Sequence, residues 1–270
     1  MKPAVESDIN AEKDSDQAMI RKPSLFLYLR ATLFYAGFYP VTLVFAAFCM
    51  LVGWALPFRP RFKLFTLMNY FTMLWLYLTC GVRYRVEGRE NLPKDSDGAY
   101  VVVANHSSEW ETFFLQTLIR PQSAVLKQEL LKIPFFGWAL GMLKPIALDR
   151  SKRRGALKQL LTQGKERLQE GINVVIFPQG TRVETGQLGK FNKGGAMLAA
   201  SAQVPVVPLA HDAGLYWPGK SYVKYPGTIT VRVGAPVPVA DRTVDDIHTD
   251  SIGWLEAQMR DLNVIDEDKI

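Results

Sequence analysis

The chain has 270 residues, 48% hydrophobic and 21% charged, too apolar for a disordered chain and long enough to bury a real core. Lys and Arg outnumber Asp and Glu by 32 to 26, a net charge of +6 that favours anionic partners without choosing among phosphate, acidic lipid and nucleic acid. Two cysteines, Cys49 and Cys80, exclude a disulfide scaffold, and three histidines (His106, His211, His248) are too few and too dispersed for a metal centre of clustered imidazoles.

Residues 1–23 are polar and mixed in charge, and read as a disordered tail. From Ala31 to Phe58 no charged residue occurs, a run long enough for a helix to cross a hydrocarbon core of about 30 Å. The basic residues Arg59, Arg61 and Lys63 follow, then a second uncharged run from Leu64 to Val82. That second run carries Asn69, Tyr70, Thr72, Trp75 and Tyr77, which suit a helix lying in a membrane interface as well as one crossing it. The acid-rich stretch ahead of the first run and its length argue against a cleaved signal peptide. The organisation expected is a tail over 1–23, hydrophobic membrane-anchoring helices over 24–82 and an α/β domain over 83–270. Three basic residues precede the first run and three follow it, so the charge balance leaves orientation open.

Beyond Arg83, short β-rich runs alternate with helical patterns, which predicts an α/β fold with a largely parallel central sheet flanked by helices. The strand candidates are Tyr100–Ala104, Ser123–Leu126, Pro145–Leu148, Asn173–Phe177, Val204–Leu209 and Thr228–Val233. Over Arg153–Glu170, Leu157, Leu160, Leu161, Gly164 and Leu168 fall on one helical face, and Gly171 suits a C-cap. A last helix should start at Thr243, with Asp246 completing a capping box, and run through Leu262.

Sites in such folds gather at the carboxyl ends of the strands. After the run ending at Ala104 comes Asn105-His106-Ser107-Ser108-Glu109-Trp110-Glu111. A spacing of five is wrong for one face of a regular helix. It works if His106 sits in the turn, Ser107 or Ser108 caps the helix, and Glu111 points back from the second turn. Glu111 then holds one imidazole nitrogen and leaves the other free as a base; Glu109 is the rival carboxylate. After the run ending at Phe177, Pro178-Gln179-Gly180-Thr181-Arg182 forces a turn, either a phosphate cradle or a plain surface turn with a solvated Arg. Arg150, after Leu148-Asp149, and Lys127 are further cations at strand ends.

Together these segments resemble the glycerolipid acyltransferases, most closely the bacterial 1-acyl-glycerol-3-phosphate acyltransferases. Asn105-His106 with Glu111 matches that family's Asn-His-x4-acid block, and Lys127 to Gly137 and Asp149-Arg150 match two more. Phe177 to Arg182 matches its Phe-Pro-Glu-Gly-Thr-Arg, and Val204 to Pro208 its Val-Pro-rich strand. Two departures stand out: Glu111 where Asp is usual, which keeps the carboxylate, and Gln179 where Glu is usual, which keeps the shape and loses the charge.

The resemblance implies transfer of a fatty acyl group from acyl-CoA or acyl carrier protein to the free hydroxyl of 1-acyl-glycerol-3-phosphate (lysophosphatidic acid), giving phosphatidic acid. His106, oriented by Glu111, would be the base. Arg182, then Lys127 and Arg150, would bind the acceptor's phosphate, while Gln179, Gly180 and Thr181 form a turn that positions substrate and offers N–H donors to an oxyanion. No metal or cofactor is expected beyond the acyl donor as co-substrate, and no nucleic acid as partner. The implied location is the cytoplasmic side of a bacterial inner membrane, with membrane lipids as neighbours. Two other readings remain: a different lysolipid acceptor, or a non-catalytic membrane-anchored lipid-binding homologue.

Overall fold

The computed structural model describes residues 23–149 and 153–266, with the backbone alone of Arg153 and Arg154. The expected tail, apart from Pro23, and the candidate Arg150 lie outside the described residues.

Three helices open the chain. Helix α1 (Leu25–Gly53) starts where the Ser24 hydroxyl accepts the Leu27 N–H, α2 spans Phe58–Phe65, and α3 spans Leu67–Cys80. Among the described residues α1 is the one helix long and apolar enough to cross a bilayer, and only 22% of its most apolar window is buried. Its 29 residues reach about 43 Å at 1.5 Å per residue; the 14 of α3 reach about 21 Å, less than a hydrocarbon core. The two uncharged runs therefore differ. Helix α3 lays Met68, Asn69, Thr72, Met73 and Leu76 against the rest of the protein and leaves Leu67, Tyr70, Leu74 and Leu78 outside.

Helices α1 and α3 are locked as a pair. The Trp75 indole N–H donates to the Phe34 carbonyl at 3.0 Å, and the Arg30 Nε donates to the Thr79 carbonyl at 2.6 Å. Gly37 makes this approach possible, because a Cβ there would lie 2.6 Å from the Trp75 ring. The Asn69 amide then ties α3 to the Gln116 side chain of α4 (Trp110–Leu118).

The remaining elements are β1 (Val82–Glu87), β2 (Val101–Ala104), α4, β3 (Gln122–Lys127), α5 (Phe136–Gly141), β4 (Ile146–Leu148) and α6 (Arg153–Gln169). They continue with β5 (Asn173–Ile176), α7 (Gly194–Ala202), β6 (Val206–His211), α8 (Ala213–Tyr216), β7 (Gly227–Val233) and α9 (Val244–Asp261). The sheet order is β1-β7-β6-β2-β5-β3-β4. Strands β6, β2, β5, β3 and β4 run parallel; β7 is antiparallel to β6, and β1 is parallel to β7.

The central strands are apolar at every position because both faces are covered. Val102, Ala104, Val175 and Leu209 face the layer of α1, α3 and α4. Val101, Val103, Val174 and Ile176 face α6, α7 and α9. The Leu stripe of α6 meets α7, where Gly164 admits Leu198: a Cβ at 164 would sit 2.6 Å from it. Helix α9 begins with the Thr243–Asp246 capping box.

The six strand candidates all form, with ends shifted by one or two residues. Among the elements that escaped the periodicity are β1 and α7. Strand β1 (VRYRVE) reads as polar because it is an edge strand with exposed alternate residues, and α7 (GGAMLAASA) reads as neither element because close packing demands small residues.

Candidate active site

The five parallel strands end at one edge of the sheet, which gathers the His106 loop after β2, the Phe177–Arg182 turn after β5 and the His211-Asp212 pair ending β6.

The His106 Nδ1 lies 2.7 Å from the Glu111 Oε1. A carboxylate can only accept, so Nδ1 carries the proton, and in the neutral ring Nε2 then holds the lone pair. The same Oε1 accepts the Ser107 N–H at 3.1 Å and the Ser108 N–H at 3.0 Å. Here the structure corrects the sequence reading in detail. Helix α4 starts at Trp110, so Glu111 sits in its first turn and not its second. Ser108 contributes by accepting the Trp110 N–H on its hydroxyl at 3.0 Å. The five-residue spacing works because the turn curls its N–H groups onto the carboxylate.

Glu111 is fully buried. Burial alone would push its carboxyl up, but His106, His211 and the Ser108 N–H outweigh that and hold it below the usual range. The imidazole of His106 retains 15% exposure, stacked on the Phe177 ring at 4.2 Å.

Gln179 is buried and has two single-role partners. Its Oε1 accepts the His106 N–H at 2.7 Å, and its Nε2 donates to the Leu188 carbonyl at 2.8 Å. The Val183 N–H adds a bond to the His106 carbonyl at 2.8 Å, so the turn after β5 clamps the His106 loop from both sides. Gly180 adopts φ +74°, the left-handed region that favours glycine, and its N–H donates to the Phe177 carbonyl at 2.9 Å. That N–H is therefore engaged in closing the turn. Thr181 is exposed beside it.

Arg182 does not present a free fork. Its Nε donates to the Ser108 carbonyl at 3.1 Å, and its Nη1 pairs with the Glu109 Oε1 at 3.1 Å. Glu109 thus serves Arg182 and leaves His106 to Glu111. Lys127 is exposed at the end of β3, with β5 between it and β2. Among the described residues it forms no hydrogen bond or ion pair with the His106 loop.

Sequence reasoning counted His211 without giving it a role. It is fully buried: Nε2 donates to the Asn105 carbonyl at 2.9 Å, and Nδ1 accepts the Ala213 N–H at 3.3 Å. The Asn105 side chain returns two bonds to the His211 backbone, at 2.8 and 3.0 Å. These bonds tie the ends of β2 and β6 and hold the His106 loop from beneath. Burial pushes the His211 imidazole down, with Glu111 partly offsetting. The one available signal was the Asn next to His106, whose partner is 106 residues away.

A His–carboxylate pair at the strand ends of a mostly parallel sheet, with a cationic turn beside it, suits acyl transfer to a hydroxyl, and the acyltransferase family matches residues 83–212. The chain is 42% identical over 244 residues to the 1-acyl-sn-glycerol-3-phosphate acyltransferase of Pseudomonas aeruginosa, spanning 88% of this chain and 93% of that one. It is 32% identical over 190 residues to the Saccharomyces cerevisiae protein of the same name, spanning 68% and 59% of the two chains. The crystal structure of the 1-acyl-sn-glycerophosphate (LPA) acyltransferase from Thermotoga maritima shares the fold, with a TM-score of 0.68 at 24% identity over 85% of this chain and 95% of that one. The chain belongs to the 1-acyl-sn-glycerol-3-phosphate acyltransferase family and is an acyltransferase of that type.

Proposed function

We propose that the protein moves a fatty acyl group from a thioester, acyl-CoA or acyl carrier protein, to the free hydroxyl of 1-acyl-glycerol-3-phosphate, with His106 as general base. The observation that carries this reading is the 2.7 Å contact between His106 Nδ1 and a Glu111 carboxylate that is fully buried and held ionised. It fixes the tautomer with Nε2 unprotonated and stabilises the imidazolium that forms during reaction.

The acceptor oxygen attacks the thioester carbonyl carbon while its proton passes to His106 Nε2. The resulting tetrahedral centre collapses, the C–S bond breaks, and the imidazolium returns the proton to the departing thiolate. The ester bond forms with no acyl-enzyme. With the Gly180 N–H engaged, the Thr181 N–H is the donor of the turn assigned to the oxyanion. Arg182 takes the acceptor's phosphate first, then Lys127 and Arg150 as further cations. No metal or cofactor enters these steps.

The exposed apolar surfaces of α1 and α3 support an anchoring role for residues 24–82, on the cytoplasmic side of a bacterial inner membrane where acceptor and product reside. The test is free-thiol release coupled to phosphatidic acid detection, with acyl-CoA and acyl carrier protein as donors and several lysolipids as acceptors. His106→Ala should abolish transfer, and Glu111→Gln should be far more damaging than Glu109→Gln. Near wild-type turnover in His106→Ala would end this mechanism.

A further inference from the structure

Glu109 occupies the N-cap position of α4, yet its side chain caps nothing. A carboxylate there would ordinarily serve the helix terminus. It reaches out to the Arg182 Nη1 instead, with both side chains partly exposed, 31% and 42%. The Arg182 Nε is anchored on the Ser108 carbonyl, so the guanidinium is held in place with the carboxylate on its outer side.

A second cation lies on the loop that packs against Arg182. Lys224 is fully buried, donates to the Tyr35 hydroxyl and the Tyr222 carbonyl, and lies 3.8 Å from the Tyr35 ring centroid and 4.8 Å from that of Trp217. Among the described residues it has no ion-pair partner within 4.0 Å. Burial lowers its ammonium to about 8, with Cys80 first and Glu109 second partly offsetting this. The loop that carries Lys224 also presses on the site: a Cβ at Gly219 would lie 3.3 Å from the Arg182 Cδ and from the Ser107 carbonyl oxygen.

We propose that Glu109 is the resting occupant of the acceptor-phosphate subsite, a carboxylate on Arg182 that the phosphomonoester of the incoming lysolipid displaces. This rests on the reading of Arg182 as the phosphate ligand. A phosphomonoester brings more negative charge and more acceptor oxygens than the carboxylate, so it wins the exchange. An acceptor with an uncharged headgroup has nothing to offer the guanidinium and leaves the pair intact. Glu109 thus weakens phosphate binding while keeping Arg182 aimed.

The test is steady-state kinetics of the full-length protein in mixed micelles. The acceptors are 1-acyl-glycerol-3-phosphate and, separately, 1-acylglycerol, and the variants are Glu109→Gln, Arg182→Ala and the double variant. Glu109→Gln should lower KM for the phosphate-bearing acceptor about two- to fivefold, the size of one partly exposed ion pair. It should not move KM for the thioester or for 1-acylglycerol. In the Arg182→Ala background the gain should vanish. If Glu109→Gln raises the acceptor KM, or if its gain survives without Arg182, the inference is overturned while the phosphate reading stands. If Arg182→Ala alone leaves the acceptor KM unchanged, the phosphate reading falls and the inference with it.

Discussion

The ends of β2 and β6 each present a histidine beside the same buried carboxylate, and the two are built for opposite ends. His106 gives one nitrogen to Glu111, stacks on Phe177 and keeps an edge open. His211 has both nitrogens bonded to backbone groups and no exposure at all. Residue type therefore says little about role; what matters is whether the last nitrogen is left without a partner. A base needs an unsatisfied lone pair that substrate can reach, whereas a strand tie needs every polar atom satisfied.

The strongest way to break the comparison is to remove each ring in turn. His106→Ala should cost on the order of 10²–10⁴ in kcat with little change in melting temperature, since its ring is a positioned base on a turn held by other bonds. His211→Leu should do the reverse. It orphans the Asn105 carbonyl and the Ala213 N–H, a loss of about 2–4 kcal/mol in unfolding free energy. The folded fraction should retain most of its turnover. Thermal melts alongside initial rates read both arms, and a variant of His211 that melts normally but is inactive would make the two histidines partners in chemistry.

A smaller effect is expected at Gln179, which holds the His106 loop through a donor and an acceptor at once. Gln179→Glu keeps the bond from the His106 N–H, but a carboxylate cannot donate to the Leu188 carbonyl. The expected loss is about 1 kcal/mol, or roughly fivefold in kcat, with KM for both substrates nearly unchanged. Wild-type kcat in this variant would show that the amide only fills space.

A further effect, on stability and not on rate, concerns Asp212, next to His211. It is buried beneath β7, accepts the Thr230 N–H at 2.7 Å, and its carboxyl is raised to about 6 by burial. An acid whose folded pKa lies above its unfolded value stabilises most when protonated. That contribution is present below about pH 4 and is lost as pH rises toward 6. Relative to wild type, Asp212→Asn should therefore gain about 2 kcal/mol between pH 4 and 7, measured as the difference in unfolding free energy at the two pH values. Parallel pH profiles for the two proteins would refute this sign.

Much of this architecture was legible in the sequence because it depends on local rules. Strands covered on both faces must be apolar at every position, and those runs were readable in β2, β5 and β6. The Thr243–Asp246 capping box and the Leu stripe of α6 are short-range patterns, and both were legible. So was the His106–Glu111 pair, since a turn followed by a helix brings those two residues together whatever the rest of the chain does.

Tertiary structure alone decided the rest. The two uncharged runs look alike by composition, yet α3 buries a face against α1 and α4 because Gly37 and Asn69 offer contacts to distant partners. Arg182 reads as a free phosphate ligand in sequence, but β5 lies next to β2, and this adjacency brings it to Ser108 and Glu109, 74 and 73 positions away. Asn105 and His211 likewise meet only because β2 pairs with β6. Periodicity and capping encode what a residue does within its own turn or strand; strand order sets which loops meet, and it was strand order that placed a carboxylate on the arginine.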